Sequence, residues 1–275
     1  MSKKPRTYRI TTKGPRVGQC NICGEIGRLT EDHTPPKGCG RVSQVEAQSL
    51  HDKLGISSER WYQPRRFQAG ICYRSICERC NNLMGAEYDP ALVDLCTRVR
   101  TLANTRLVLQ QVVNLVTQPQ AVMRSVLGHL AAQGVERYPK GELTEPLRDY
   151  FLDQTVELPS LLRFYYWLYP SRVQILVRDA ARIEFGTNAP IAFWLMKFFP
   201  LAFFVTIGEP PGRIYRLNNL DAFGAIPFEQ EEQIAIPLRP AVRGTWPEQP
   251  GDNDGPILYG PQALTGTPLT RIHRT

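Results

Sequence analysis

Cys20, Cys23, Cys77 and Cys80 form two C-x-x-C pairs. Each pair sets two thiolates on one turn, at the angle that a tetrahedral zinc takes. Four thiolates close such a site, so the Zn²⁺ they imply is structural and leaves no position open to a substrate. Between the pairs stands Asp32-His33, and Asn81 follows the last cysteine directly. A carboxylate and a neutral amide oxygen suit a hard divalent cation, Mg²⁺ or Mn²⁺, which keeps waters for a phosphate. Imidazole titrates near neutral pH and suits the base that takes a proton from an attacking water. The chemistry within reach is metal-assisted hydrolysis of a phosphate ester, with Asp32 and Asn81 on the cation and His33 as base.

Neighbours on a strand point to opposite sides, so Asp32 and His33 converge on one pocket only if the strand ends there. Thr34-Pro35-Pro36 supplies the stop, since proline cannot donate to a ladder. Arg60, Arg65, Arg66 and Arg74 lie in the same segment, mixed with Trp61, Tyr62, Phe67 and Tyr73. Such a mixture grips phosphates and stacks on bases, or packs a small core beneath a cationic surface. Glu87 and Asp89 follow Asn81 closely enough to support the cation from behind, although Asp89 before Pro90 also reads as a helix cap. His51, His129 and His273 have no ligand partners at useful spacing, and Cys39, Cys72 and Cys96 read as small buried hydrophobes.

These residues need a scaffold. Residues 28–33 and 70–76 read as strands, and a zinc would tie the start of one to the end of the other across the 53 residues between Cys23 and Cys77. A short helix is expected over 45–54. Asp89-Pro90 opens another, whose apolar stripe runs through Leu92, Leu95, Cys96, Val99, Leu102 and Ala103. Further helices are expected over 107–116, 120–133 and 144–153, and strands over 164–169, 173–177 and 233–238. The apolar run 191–207 just reaches membrane-spanning length, but Lys197 at its middle and Pro200 favour two buried strands. The expected fold class is α+β: a basic flexible arm over 1–17, a zinc-stapled module over 18–90, and an α+β domain over 91–275, helical first and stranded later.

The net charge of +7 is unevenly placed. Residues 1–100 hold 17 Lys and Arg against 10 Asp and Glu, whereas residues 101–275 hold 16 of each. Excess positive charge on the cysteine-bearing part points to a polyanion, with Lys3, Lys4, Arg6, Arg9, Lys13 and Arg16 of the arm ordering on a phosphate backbone. A solubilising tail is the plainer alternative. The opening MSKKPRTYRI has no apolar run behind its charges, so a secretory signal is not expected. Seven cysteines, an odd number, fit reduced thiols in the cytoplasm.

The stretch C-N-I-C, then LTEDHTPPK, then C-E-R-C-N-N-L-M-G resembles the HNH endonuclease family, in its variety with two zinc-binding C-x-x-C knuckles. The resemblance covers residues 18–90 and implies a ββα-metal module, two antiparallel strands and a helix around a divalent cation. It makes His33 the general base, Asp32 the acidic metal ligand and Asn81 the last motif position, with Cys20, Cys23, Cys77 and Cys80 on the zinc. The family's middle Asn is missing here, where GICYRSI leaves Tyr73 or Ser75 in its place. The activity implied is hydrolysis of DNA with structural Zn²⁺ and catalytic Mg²⁺ or Mn²⁺. A restriction or anti-phage role fits by analogy with freestanding chains of this size. The competing expectation is a non-catalytic zinc-stapled protein that binds nucleic acid. Homo-oligomer formation is left open, and no membrane span is expected.

Overall fold

The computed structural model describes residues 6–40, 44–56, 60–105, 110–138, 141–183, 190–209, 217–239, 242–249 and 255–269. The N-terminal part gives β1 (Arg6–Arg9), β2 (Val17–Gln19), β3 (Ile26–His33), β4 (Val45–Ser49), a one-turn helix α1 (Leu50–Lys53), β5 (Arg60–Gln63), β6 (Arg65–Phe67) and β7 (Cys72–Cys77). Strands β2, β3 and β7 form an antiparallel sheet in which Leu29 opposes Cys77 and His33 opposes Cys72. Helix α2 (Glu78–Leu83) leaves β7 without a loop, passes through a π turn at Met84–Tyr88 and continues as α3 (Asp89–Ala103). Pro90 fits the first turn of α3, where a missing N–H costs nothing. The expected stripe holds through Leu92, Leu95, Cys96 and Val99, all fully buried, and ends there, with Leu102 half-buried and Ala103 exposed.

Next come β8 (Val112–Thr117), α4 (Pro119–Ala132), α5 (Thr144–Leu152), β9 (Leu162–Leu168), β10 (Gln174–Ile183), β11 (Pro190–Phe198), β12 (Leu201–Ile207), β13 (Asn218–Asn219), β14 (Glu232–Pro237), β15 (Ile257–Leu258) and β16 (Leu264–Pro268). The fold is mixed α+β. Its main sheet runs β13-β9-β12-β11-β10-β16-β4-β6, with β15 also on β10. Strand alternation sends Phe164, Tyr166, Leu176, Met196 and Phe203 towards the helices, while Tyr165, Trp167, Val177, Leu195 and Phe204 pack on the other face with Trp246. Helix α4 lies in the middle, buried along nearly its whole length.

Four expectations change. Residues 6–17 are not a loose arm: β1 pairs in parallel with β5, and Thr12 and Gly14 exchange backbone hydrogen bonds with Arg74. Lys3 and Lys4 lie outside the described residues. Residues 45–49 are strand, because Val45, Ala47 and Ser49 alternate inward and pair with β16 from the far end of the chain. Residues 112–117 are strand rather than helix, since valine-rich alternation finds a partner in β14. Across the cut expected near residue 90, one core among the described residues joins Ile10, Val45, Phe67 and Tyr73 to Leu127, Phe164 and Leu264. The 191–207 run is the β11–β12 pair, turning at Phe199-Pro200, and among the described residues no helix is long and apolar enough to cross a membrane.

Candidate metal centre and the groups around it

Cys20-Asn21-Ile22-Cys23 closes a knuckle in which the Cys20 N–H binds the Glu25 carbonyl at 2.9 Å and the Gly24 N–H binds the Cys20 carbonyl at 3.0 Å. Gly24 follows at φ +78°, a left-handed turn that glycine adopts without strain. Cys77 and Cys80 bracket the first turn of α2. The two knuckles bring one sulfur from each cysteine within 4.8 Å of every other, close enough to hold a metal such as zinc. Tetrahedral coordination at roughly 2.3 Å spaces sulfurs about 3.8 Å apart. The Cys23 and Cys77 sulfurs stand at 3.7 Å.

The surroundings favour the Cys20 thiolate and resist those of Cys23 and Cys80. The Cys80 thiol and the N–H groups of Ile22 and Cys77, at 3.4 and 3.3 Å, point at the Cys20 sulfur and lower its pKa to about 5. Burial pushes Cys23 up to about 12, and Cys80, hydrogen-bonded to Cys20 and buried, is raised further. A divalent cation would reverse that opposition, since a coordinating thiol is deprotonated outright.

Asp32 and His33 stay on opposite faces because β3 runs through both. Asp32 turns inward and is 5% exposed. Its Oδ2 accepts the His129 Nδ1–H at 2.8 Å and the Thr34 hydroxyl at 3.4 Å. The other ring nitrogen of His129 donates to Asp89 Oδ1 at 3.0 Å, and the Ser125 hydroxyl donates to the same oxygen at 2.7 Å. Ser125 and His129 are one helical turn apart on α4, so both reach the start of α3. Burial opposes a charge on His129, but the carboxylates of Asp32 and Asp89 outweigh it and hold its pKa well above the usual imidazole value. The ring is therefore an imidazolium at neutral pH, clamped between two carboxylates.

His33 faces the other way, into a crevice of about 30 Å³ lined also by Pro35, Lys37, Gly70 and Ile71. Burial first, then the Lys37 charge, lowers its pKa, so the imidazole is neutral at pH 7. It makes no hydrogen bond among the described residues. Glu31 shares its face, bound to Lys13 at 2.8 Å and Arg74 at 3.5 Å, with the Cys72 thiol donating at 3.7 Å. Asn81 lies against β3, its amide N–H groups donating to Thr30 Oγ1 at 3.1 Å and the Glu31 carbonyl at 3.4 Å. Asn81 Oδ1 and Asp32 Oδ1 accept no hydrogen bond among the described residues. The structure thus sets Asn81 against Thr30 and Glu31 of β3 and turns His33 away from Asp32.

Other sites differ from the sequence reading. Asp89 is not a cap, since its carboxylate is spent on His129 and Ser125. Glu87 is exposed. Cys72 is half-buried against Glu31 rather than a core hydrophobe, whereas Cys39 and Cys96 are fully buried. Ser75 donates to the Ala132 carbonyl, and the buried Tyr73 hydroxyl has no partner among the described residues, so neither is seen to brace the β3 loop. Arg65 is a tie within the fold, donating to the Ile10 carbonyl at 3.1 Å and Thr12 at 3.2 Å. Arg66 is exposed beside Glu46, Arg74 sits on Glu31, and the Arg60 side chain lies outside the described residues.

The residue that spacing missed is His129, 97 positions from Asp32. The available signal was composition: a histidine, a serine and an arginine inside the apolar run of α4. Compared with family models, curated proteins and solved structures, the chain matches none.

Proposed function

We propose that this chain is a metal-dependent endonuclease of the HNH type that hydrolyses phosphodiester bonds in DNA. The observation that carries the reading is the antiparallel pair β3–β7, flanked by four cysteines close enough to hold a metal and running straight into a helix whose Asn81 rests on β3. That is the strand–strand–helix order the sequence resemblance implies. The sulfur site would take zinc and keep the pair in register. Asp32, buried beside His129, and Asn81, resting on Thr30, would offer Oδ1 atoms to Mg²⁺ or Mn²⁺, a sparse hard-ligand set that leaves waters on the ion. Such a cation stabilises charge on the phosphate and the leaving oxygen. His129 and Thr34 hold the second Asp32 oxygen and so fix the carboxylate's direction. In this reading His33, whose imidazole makes no hydrogen bond among the described residues, would accept a proton from a water on its own face of β3, across the strand from Asp32. Lys13 and Arg74 stand on the His33 face and offer positive charge to the phosphate.

A second reading is favoured by one feature, the separation of Asp32 and His33 on opposite faces of β3. In it the module binds nucleic acid without cutting. Plasmid nicking with Mg²⁺ or Mn²⁺ decides between the two. The wild-type chain should nick, His33→Ala should lose about 10²–10⁴-fold in rate, and chelation should stop the reaction. Nicking unchanged in His33→Ala removes the proposed mechanism, and retention of DNA without any nicking selects the binding module.

A further inference from the structure

The β1/β5 ribbon carries a surface that the cleavage reading does not use. Register partners in a sheet share a face, and here Thr7 opposes Trp61 while Arg9 opposes Gln63. Thr7, Arg9, Trp61 and Gln63 are all exposed, whereas Tyr8 and Tyr62, one position along on each strand, are half-buried with their rings 5.6 Å apart. One side of the ribbon is thus anchored and the other open. Trp61 is 47% exposed on the open side, although tryptophan is costly to leave in water. Trp167 and Trp194, by contrast, are buried.

Beside Trp61 the open side becomes a groove of about 560 Å³, lined by Arg9, Lys13, Gln63, Arg65 and Arg66 with no carboxylate among its walls. Gln63 follows Trp61 by two residues on the same face, about 7 Å along the strand. Arg65 is held by the backbone of Ile10 and forms a fixed wall. Arg9 enters no ion pair among the described residues, and Arg66 reaches solvent with its side chain 70% exposed. The groove also leads towards the proposed cleavage face, since Lys13 binds Glu31, two residues before His33.

We infer that this ribbon is a platform for single-stranded nucleic acid, with Trp61 stacking on an unpaired base and Arg9, Lys13 and Arg66 taking the neighbouring phosphates. The inference rests on the nucleic-acid reading above and names the form of the strand. An aromatic ring needs a free base face, which a duplex covers with its own stacking, and a basic groove beside it tracks the backbone.

Intrinsic fluorescence tests it on the full zinc-loaded chain without added Mg²⁺ or Mn²⁺, because Trp61 is the tryptophan that solvent reaches most freely. A 20-nucleotide single strand should quench the emission and bind at least tenfold more tightly than its duplex. Trp61→Ala should weaken single-strand binding roughly 5- to 150-fold, the loss of one stacked base, while Trp61→Phe should keep most of it. The double change Arg9→Gln with Arg66→Gln should flatten the salt dependence by roughly 0.7 in slope for each cation removed. Duplex binding as tight as single-strand binding, absence of quenching, or unchanged affinity in Trp61→Ala overturns the platform. Binding without nicking leaves the platform standing and sinks only the nuclease. Nicking with Trp61→Ala at full affinity does the reverse.

Discussion

Lys197 carries an ammonium into a sheet of aromatic side chains, and its surroundings show what that requires. The Nζ donates to both Glu248 oxygens at 2.7 and 2.8 Å and to the carbonyls of Gly244 and Trp246 at 2.6 and 3.0 Å. Burial still pulls the Lys197 pKa below 10.5 and lifts the Glu248 carboxyl above 4.5. Between its folded pKa and 10.5 an unfolded lysine keeps a proton that the folded one lacks, so stability from this group rises with pH through that window. Glu248→Gln leaves the ammonium buried with carbonyls alone, which should cost about 3–5 kcal/mol near neutral pH. Its unfolding curve in urea should recover part of the loss as pH is raised towards 10, and Lys197→Met added to it should restore most of the remainder. A single mutant as stable as the parent would show that the pair is not a buried tie. At this scale the sequence is legible where chemistry is local. Cysteine spacing declares the sulfur knot, because each knuckle is one turn of chain. The His129 clamp is not declared, because its partners Asp32 and Asp89 meet it only after α4 has packed.

Among the elements, α4 is buried along nearly its whole length. A Cβ at Gly128 would lie 2.5 Å from Met84 Sδ and 2.6 Å from Phe151, so the helix presses directly on the π turn between α2 and α3. Gly128→Ala should cost about 1–3 kcal/mol by overpacking, even though alanine has the better helix propensity. Differential scanning calorimetry should show a lower Tm, and an unchanged or higher one would mean that the contact relaxes freely. Elements that the sequence shows clearly are those whose own pattern suffices: the stripe of α3, the apolar run of α4, and the 191–207 pair divided at Pro200. Residues 45–49 read as the start of a short helix in a polar stretch, and 112–116 as the end of another because short apolar windows suit either period. Their strand character comes from β16 and β14, partners more than a hundred residues away.

Across the whole molecule, the main sheet ignores the cut that composition suggests near residue 90. Strands β4 and β6 join it only through β16, which lies between β10 and β4. A fragment of residues 18–90 should therefore bind metal through its cysteines yet lack cooperative thermal unfolding and dispersed amide resonances. A fragment that folds as sharply as the full chain would restore the two-domain description. The position of β16 also carries a consequence for synthesis. Ser49 waits for Leu264, its neighbour in the sheet, while more than two hundred residues are added. At ribosomal speeds of about 5–20 residues per second that delay is roughly ten to forty seconds. Through it the cysteine pairs can already capture metal, but the sheet edge stays bare. A nascent chain would thus be exposed to chaperones and proteases until the keystone strand emerges.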